Sequence, residues 1–84
     1  MRYTVFIKHS AEKESSDLPE RLHDRIVARM RSLAEDARPV GARKLRGREG
    51  YRLRVGDYRV LYEVDDTART VTIVAIAHRR DVYR

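Results

Sequence analysis

The stretch Tyr51-Arg52-Leu53-Arg54-Val55-Gly56-Asp57-Tyr58-Arg59-Val60-Leu61-Tyr62-Glu63-Val64 decides how this 84-residue chain folds. Up to Val55 it alternates apolar and basic residues, the period of a strand with one buried face. Gly56-Asp57, with the glycine first, is a two-residue hairpin signal of the type I′ or II′ kind. Tyr58 to Val64 is then the returning strand. So short a loop sets the register. Val55 opposes Tyr58, Arg54 opposes Arg59, Leu53 opposes Val60 and Arg52 opposes Leu61. Residues opposed across an antiparallel pair share a face. Tyr51, Leu53, Val55, Tyr58, Val60 and Tyr62 are therefore expected to point toward the core, and Arg52, Arg54 and Arg59 to point away from it together.

Outward from the hairpin, the N-terminal side changes period. Tyr3 to Lys8 is rich in β-branched and aromatic residues and predicts a short strand. Ser10 is placed to cap a first helix, whose positive N-terminal end suits Glu12, Glu14 and Asp17. Asp17-Leu18-Pro19-Glu20 breaks that helix, and Pro19 fits the first turn of a second. Leu22, Ile26, Met30 and Leu33 recur at helical spacing, with Val27 and Ala34 widening the stripe, so the second helix is predicted from about 19 to 35. On the C-terminal side, Asp65 to Arg69 turns the chain. Thr70 to Ala77 is apolar at nearly every position, as expected of a strand covered on both faces. The order predicts one α+β domain over residues 1–84, an N-terminal strand and two helices packed on one face of an antiparallel sheet of about four strands.

Charge points to a partner. Sixteen of the nineteen basic residues are arginine, and the stretch from Arg38 to Arg59 holds eight basic residues against Glu49 and Asp57, which is the whole net charge of +6. Elsewhere the two signs balance. A local surplus of this kind marks the footprint of a phosphate backbone, and arginine holds phosphate at two points at once. Like charges opposed across a sheet repel, so Arg54 facing Arg59, with Arg52 beside them, is better understood with an anion between them than as a solvated surface.

Other chemistries are poorly represented. With no cysteine, disulfides, thiol catalysis and cysteine-ligated zinc are excluded. No Ser/His/Asp arrangement, glycine-rich phosphate loop or carboxylate cluster at metal spacing occurs, and Asp65-Asp66 reads as a turn. His9 and His23 read as surface residues. No metal and no cofactor are expected. No apolar run approaches the roughly 20 residues of a membrane span, and the N-terminus lacks a signal-peptide layout, so a cytoplasmic protein is expected. Just past the last strand lies His78-Arg79-Arg80-Asp81-Val82-Tyr83-Arg84. Arg79 is placed to join the arginines, Tyr83 to stack on a base or donate its hydroxyl, and His78 is the only histidine near this charge.

Lys44-Leu45-Arg46-Gly47, the Tyr51 to Val64 block and Ala77-His78-Arg79-Arg80-Asp81-Val82-Tyr83 together resemble RelE-type toxins of bacterial and archaeal toxin–antitoxin modules, along the whole chain. The resemblance implies helices on one face of an antiparallel sheet, and a ribosome-dependent endoribonuclease that cuts messenger RNA in the A site. In that reaction the substrate's own 2′-hydroxyl attacks the adjacent phosphorus, without a metal. It implies as partners the ribosome, mRNA and a cognate antitoxin, acidic and partly helical, that neutralises the basic face within a hetero-oligomer. Carried over by position, Arg59 and Arg79 stabilise transition-state charge, Arg52, Arg54, Lys44 and Arg46 grip phosphates, and Tyr83 stacks or assists proton transfer. Relatives carry lysines where this chain has Arg52 and Arg54, and arginine is a poor base. Either His78 supplies the base or the reaction relies on electrostatics alone. The alternatives are a ParE-like toxin that inhibits DNA gyrase without catalysis and an RNA-binding relative that has lost cleavage.

Overall fold

The structure, a computed structural model, describes residues 2–82. Along the chain run β1 (Thr4–Ile7), α1 (His9–Ser16), α2 (Glu20–Ser32), β2 (Arg43–Lys44), β3 (Tyr51–Val55), β4 (Tyr58–Asp65), β5 (Thr70–His78) and α3 (Arg79–Val82). The strands form one sheet in the order β1-β5-β4-β3-β2. Every neighbouring pair is antiparallel except β1 with β5, which run parallel. The sheet thus gains a fifth strand over the four expected. That strand, β2, has two residues, too few to show an apolar alternation.

The β3–β4 hairpin pairs Val55 with Tyr58, Arg54 with Arg59, Leu53 with Val60 and Arg52 with Leu61, the register its two-residue loop dictates. Leu53, Val55, Val60 and Tyr62 are buried against α1 and α2 together with Ile26, Met30 and Leu33 of the helical stripe. Each such aliphatic side chain contributes about 1.5–3 kcal/mol on leaving water. α2 begins at Glu20 after Pro19 and ends at Ser32, with Leu33 as its C-cap. It is shorter than the stripe suggests because Leu33 and Ala34 pack from a turn rather than from the helix. Ser10 is not a cap. Lys8 holds the N-cap position of α1 without a side-chain bond, and Ser10 lies inside the helix.

The last strand departs from expectation in a way that shapes the site. Val71, Ile73 and Ile76 of β5 are buried, but Thr72, Val74, Ala75 and Ala77 are only half-buried. Helices cover one face of the sheet; the other face is open. Leu61 pairs with Ala75 and Tyr62 with Ile73, so Val74 is the extra residue of a bulge. Near the bulge, the backbone N–H of Ile76 donates to Glu14 Oε1 of α1 at 3.0 Å. No helix among the described residues is long and apolar enough to cross a membrane.

Candidate nucleic-acid interface

The open face of the sheet is basic at the hairpin end. Arg54 and Arg59 are directly opposed, and one row further Arg43 of β2 is opposed to Arg52. With Gly41 at the lip, these four arginines line a cleft of about 260 Å³. Gly41 has φ +100°, a left-handed conformation that favours glycine where the chain turns into β2. Ala77 stands next to Arg59 across the β4–β5 pairing.

Arg59 is the unusual member. Only 8% of it is exposed, yet it takes part in neither of the ion pairs Arg2–Glu35 and Arg38–Asp66 between described residues. Its bond is a donation from Nη1 to the Tyr58 carbonyl at 3.4 Å, and Arg54 Nε donates to the Gly56 carbonyl at the same 3.4 Å. Charge-assisted bonds run shorter, about 2.7–2.9 Å. A buried cation with no ion pair among the described residues is costly, and here it shares a cleft with three further arginines. The arrangement is suited to an anion with several oxygens.

The loop leading into β2 is held against the sheet by a separate network. Arg38 donates to both carboxylate oxygens of Asp66 at 3.0 and 2.8 Å and to Tyr51 Oη at 2.8 Å, while Tyr3 Oη donates to Asp66 from the N-terminus. The Arg38 bonds, then the Tyr3 bond, lower the Asp66 carboxyl to a pKa of about 2. Tyr51 stacks on Tyr62 at 5.7 Å between ring centroids, and the buried Tyr62 Oη donates to the Ala37 carbonyl at 2.8 Å. Burial pushes the Tyr62 phenol up to about 12. These contacts fix the segment that carries Gly41 and Arg43.

The structure brings some of the sequence-derived residues together and separates others. Arg52, Arg54 and Arg59 share the cleft. Arg79 starts α3, and its backbone N–H donates to the Asp57 carbonyl at 2.8 Å, which places it beside the hairpin turn at the Arg54/Arg59 end. Lys44 does not join them. It is opposed to Tyr51, whose ring packs toward the helices, so it lies on the other face from Arg43 and Arg52. Arg46 is exposed in the loop between β2 and β3.

His78 is also on the other face. It is opposed to Tyr58 and meets that ring edge-on at 5.2 Å, while its neighbour Ala77 is the residue opposed to Arg59. Strand alternation thus turns His78 away from the cleft. Tyr83 lies outside the described residues.

Known proteins share this fold and sequence. A sequence model described as the ParE toxin of the type II toxin–antitoxin system parDE matches residues 5–83. Toxin RelG of Mycobacterium tuberculosis is 35% identical over 86 residues, covering all of this chain and 99% of that protein. The chain belongs to the ParE toxin family. It is thus a type II toxin of the RelE/ParE superfamily. Among solved structures, the RelBE2 toxin–antitoxin complex of M. tuberculosis matches with a TM-score of 0.82 and 30% identity, over 94% of this chain and 100% of that one. The RelE–RelB complex of Pyrococcus horikoshii OT3 matches at 0.81 and 27%, over 94% and 97%.

In this toxin the residue that sequence reasoning missed is Arg43. Its pairing with Arg52 was the only available signal, and two residues of strand do not announce a pairing.

Proposed function

We propose that the arginine cleft holds a phosphate of messenger RNA in the ribosomal A site and promotes attack of the adjacent 2′-hydroxyl on phosphorus. The 2′-oxygen forms a bond to phosphorus as its proton passes to water, the bond from phosphorus to the 5′-oxygen of the next nucleotide breaks, and that oxygen takes a proton from water, giving a cyclic phosphate and a free 5′-hydroxyl. The observation that carries this reading is buried Arg59, which has no ion pair among the described residues and shares its cleft with Arg43, Arg52 and Arg54. Donors fixed before the reaction act on the negative charge that grows on the phosphorane oxygens, and each such donor is worth several kcal/mol in a site that excludes water.

In this scheme Arg59 stabilises the transition state, Arg52 and Arg54 grip the neighbouring phosphates with Arg43, and Arg79 closes the site from the start of α3. Tyr83 is proposed to stack on a base. None of the cleft arginines accepts a proton at neutral pH. With His78 on the opposite face, the reaction runs on charge stabilisation and on a substrate bent by the ribosome rather than on a side-chain base. A cognate antitoxin is the proposed protein partner, acidic enough to cover the cleft, and an assembly of the RelBE kind is the form expected in a cytoplasm. The complexes of the M. tuberculosis and P. horikoshii relatives support that partnership.

The family match to ParE favours one second reading, inhibition of DNA gyrase without catalysis. Mapping the 5′ ends of a defined message on programmed ribosomes, with wild type beside Arg59→Ala, decides between them. A cut in the A-site codon that disappears in the variant is expected. A folded wild-type protein that leaves the message whole while blocking gyrase supercoiling would establish the second reading instead.

A further inference from the structure

A second basic groove opens on the other side of Arg54. It measures about 410 Å³ and lies between α2 and the hairpin turn, lined by Arg25, Ala28, Arg29, Arg54, Val55 and Gly56. Arg25 reaches over the turn, since a side-chain carbon built on Gly56 would stand 3.8 Å from its Nη1. Arg54 lines both this groove and the arginine cleft. It does so because β2 pairs with β3 only at Tyr51 and Arg52. Beyond that point β3 is an edge, and a long side chain there is reached from both faces of the sheet. The two hollows thus form one basic band around the sheet edge.

Helix electrostatics do not account for this band. Arg29 lies in the last turn of α2, where a cation suits the helix dipole. Arg25 lies one turn earlier and repels Arg29. Among the described residues neither takes part in an ion pair. Hence two unneutralised arginines on a helix converge with a third from the hairpin, and the third is already in the cleft.

We propose that this groove is a second phosphate subsite, in which Arg25 and Arg29 hold the backbone of the same single RNA strand that crosses the cleft, with Arg54 gripping the phosphate between. The inference rests on the reading of the cleft as an RNA site and extends it to the flanking nucleotides. Specificity for the scissile position stays with Arg59; the groove adds length-dependent affinity.

Fluorescence anisotropy on the full chain with 2′-O-methyl RNA, which offers no 2′-hydroxyl for attack, tests the proposal with a trinucleotide and with a longer oligonucleotide. Each phosphate contact to a single strand contributes about 0.7 to the slope of log K against log salt. Arg25→Gln/Arg29→Gln is expected to reduce that slope by roughly 1.4 for the long RNA, and its affinity by roughly 25-fold at about 0.1 M salt. Affinity for the trinucleotide should not change, and Arg25→Lys/Arg29→Lys should restore the loss. If the double variant folds poorly by circular dichroism, the exposed Arg25→Gln alone is expected to give half the change in slope. Equal losses at both lengths, or none, would overturn the subsite while leaving the RNA reading intact. So would a loss seen only on whole ribosomes, which would assign the groove to ribosomal RNA. Failure of the wild type to bind either oligonucleotide would overturn the RNA reading and the subsite together.

Discussion

Arg54 and Arg59 face each other across the β3–β4 hairpin, one residue pair from its turn, and no described carboxylate forms an ion pair with either. An opposed pair of like charges opposes folding, and the buried member cannot shed its charge into water. Among the described residues this cost meets no counter-charge, and an anionic ligand would relieve it.

Arg59→Met is expected to remove that cost. The side chain keeps its length and apolar stem, and replacing a buried charge by a packed apolar group is often stabilising, here by about 1–2 kcal/mol. For a domain of this size that corresponds to a rise in Tm of roughly 4–16 °C. Cleavage on ribosomes should be lost in the same variant. A polyphosphate ligand should stabilise the wild type more than the variant, because ligand binding to the folded state adds to stability by mass action. A lower Tm in the variant would show instead that the guanidinium holds the sheet together.

Much of this was legible in the sequence, for a local reason. A two-residue loop beginning with Gly56 leaves one register, and register assigns every side chain of the hairpin to a face. Arg52, Arg54 and Arg59 followed from that alone. What escaped depends on contacts between residues far apart in the chain. Arg43 enters the cleft through a pairing of two residues. The parallel alignment of β1 with β5 joins the two ends of the chain and leaves no local mark. Glu14 was read as a helix-dipole residue, yet it also accepts the N–H of Ile76 near the bulge. His78 was placed by its position in the chain rather than by its parity along β5. Counting alternation from Arg59 through its partner Ala77 would have turned it to the other face.

Tyr62 should report on the core. Its hydroxyl donates to the carbonyl of Ala37, itself only 4% exposed. Tyr62→Phe leaves that oxygen buried without its partner, at a cost of about 1–3 kcal/mol. The phenol is also held above its ordinary value, at about 12, mainly by burial. The unfolded chain therefore ionises first as pH rises past 10. Stability from this residue is complete below pH 10 and is lost as pH climbs through about 12. Chemical denaturation between neutral and alkaline pH should show the wild type weakening faster than Tyr62→Phe.

Asp66 predicts the opposite end of the pH scale. Arg38 and Tyr3 lower its carboxyl from 3.8 to about 2, so its contribution is present above pH 3.8 and disappears as pH falls through about 2. The pair is exposed, and salt should screen much of it. Asp66→Asn is expected to melt below wild type at neutral pH and low salt, with the two curves converging in acid. Because the network holds the loop ahead of Arg43, the variant should also lose RNA affinity. Unchanged affinity would separate the network from the cleft.

Gly50 makes a prediction about the loop that links β2 to β3. It has φ +111°, and a Cβ there would stand 2.8 Å from the Tyr62 carbonyl oxygen, a backbone atom with no room to yield. Gly47 has φ +69° but no such neighbour. Gly50→Ala should therefore combine conformational strain with a clash and cost more than about 1 kcal/mol, while Gly47→Ala carries the strain alone. Denaturant midpoints of the two variants should fall in that order. Equal midpoints would mean that the β3–β4 sheet shifts to accept the methyl group.

His78 gives the test of the chemistry. It contacts Tyr58 edge-on at 5.2 Å, and its Nδ1 accepts a bond from the Arg80 N–H at 3.3 Å. Both contacts are structural, on the face turned toward the helices. His78→Gln retains an acceptor and loses the ring contact, worth about 0.5–1.5 kcal/mol beyond area burial for an aromatic pair. The variant should melt slightly lower and cut at the wild-type rate. Its rate on programmed ribosomes should follow the wild-type dependence from pH 5 to 8, with no inflection near the ordinary histidine value of about 6.5 in either protein. A wild-type inflection there that vanishes in His78→Gln would mean that the ring reaches the substrate, by a rearrangement of the end of β5 on the ribosome. The base would then be His78 after all, and catalysis by the arginines alone would be ruled out.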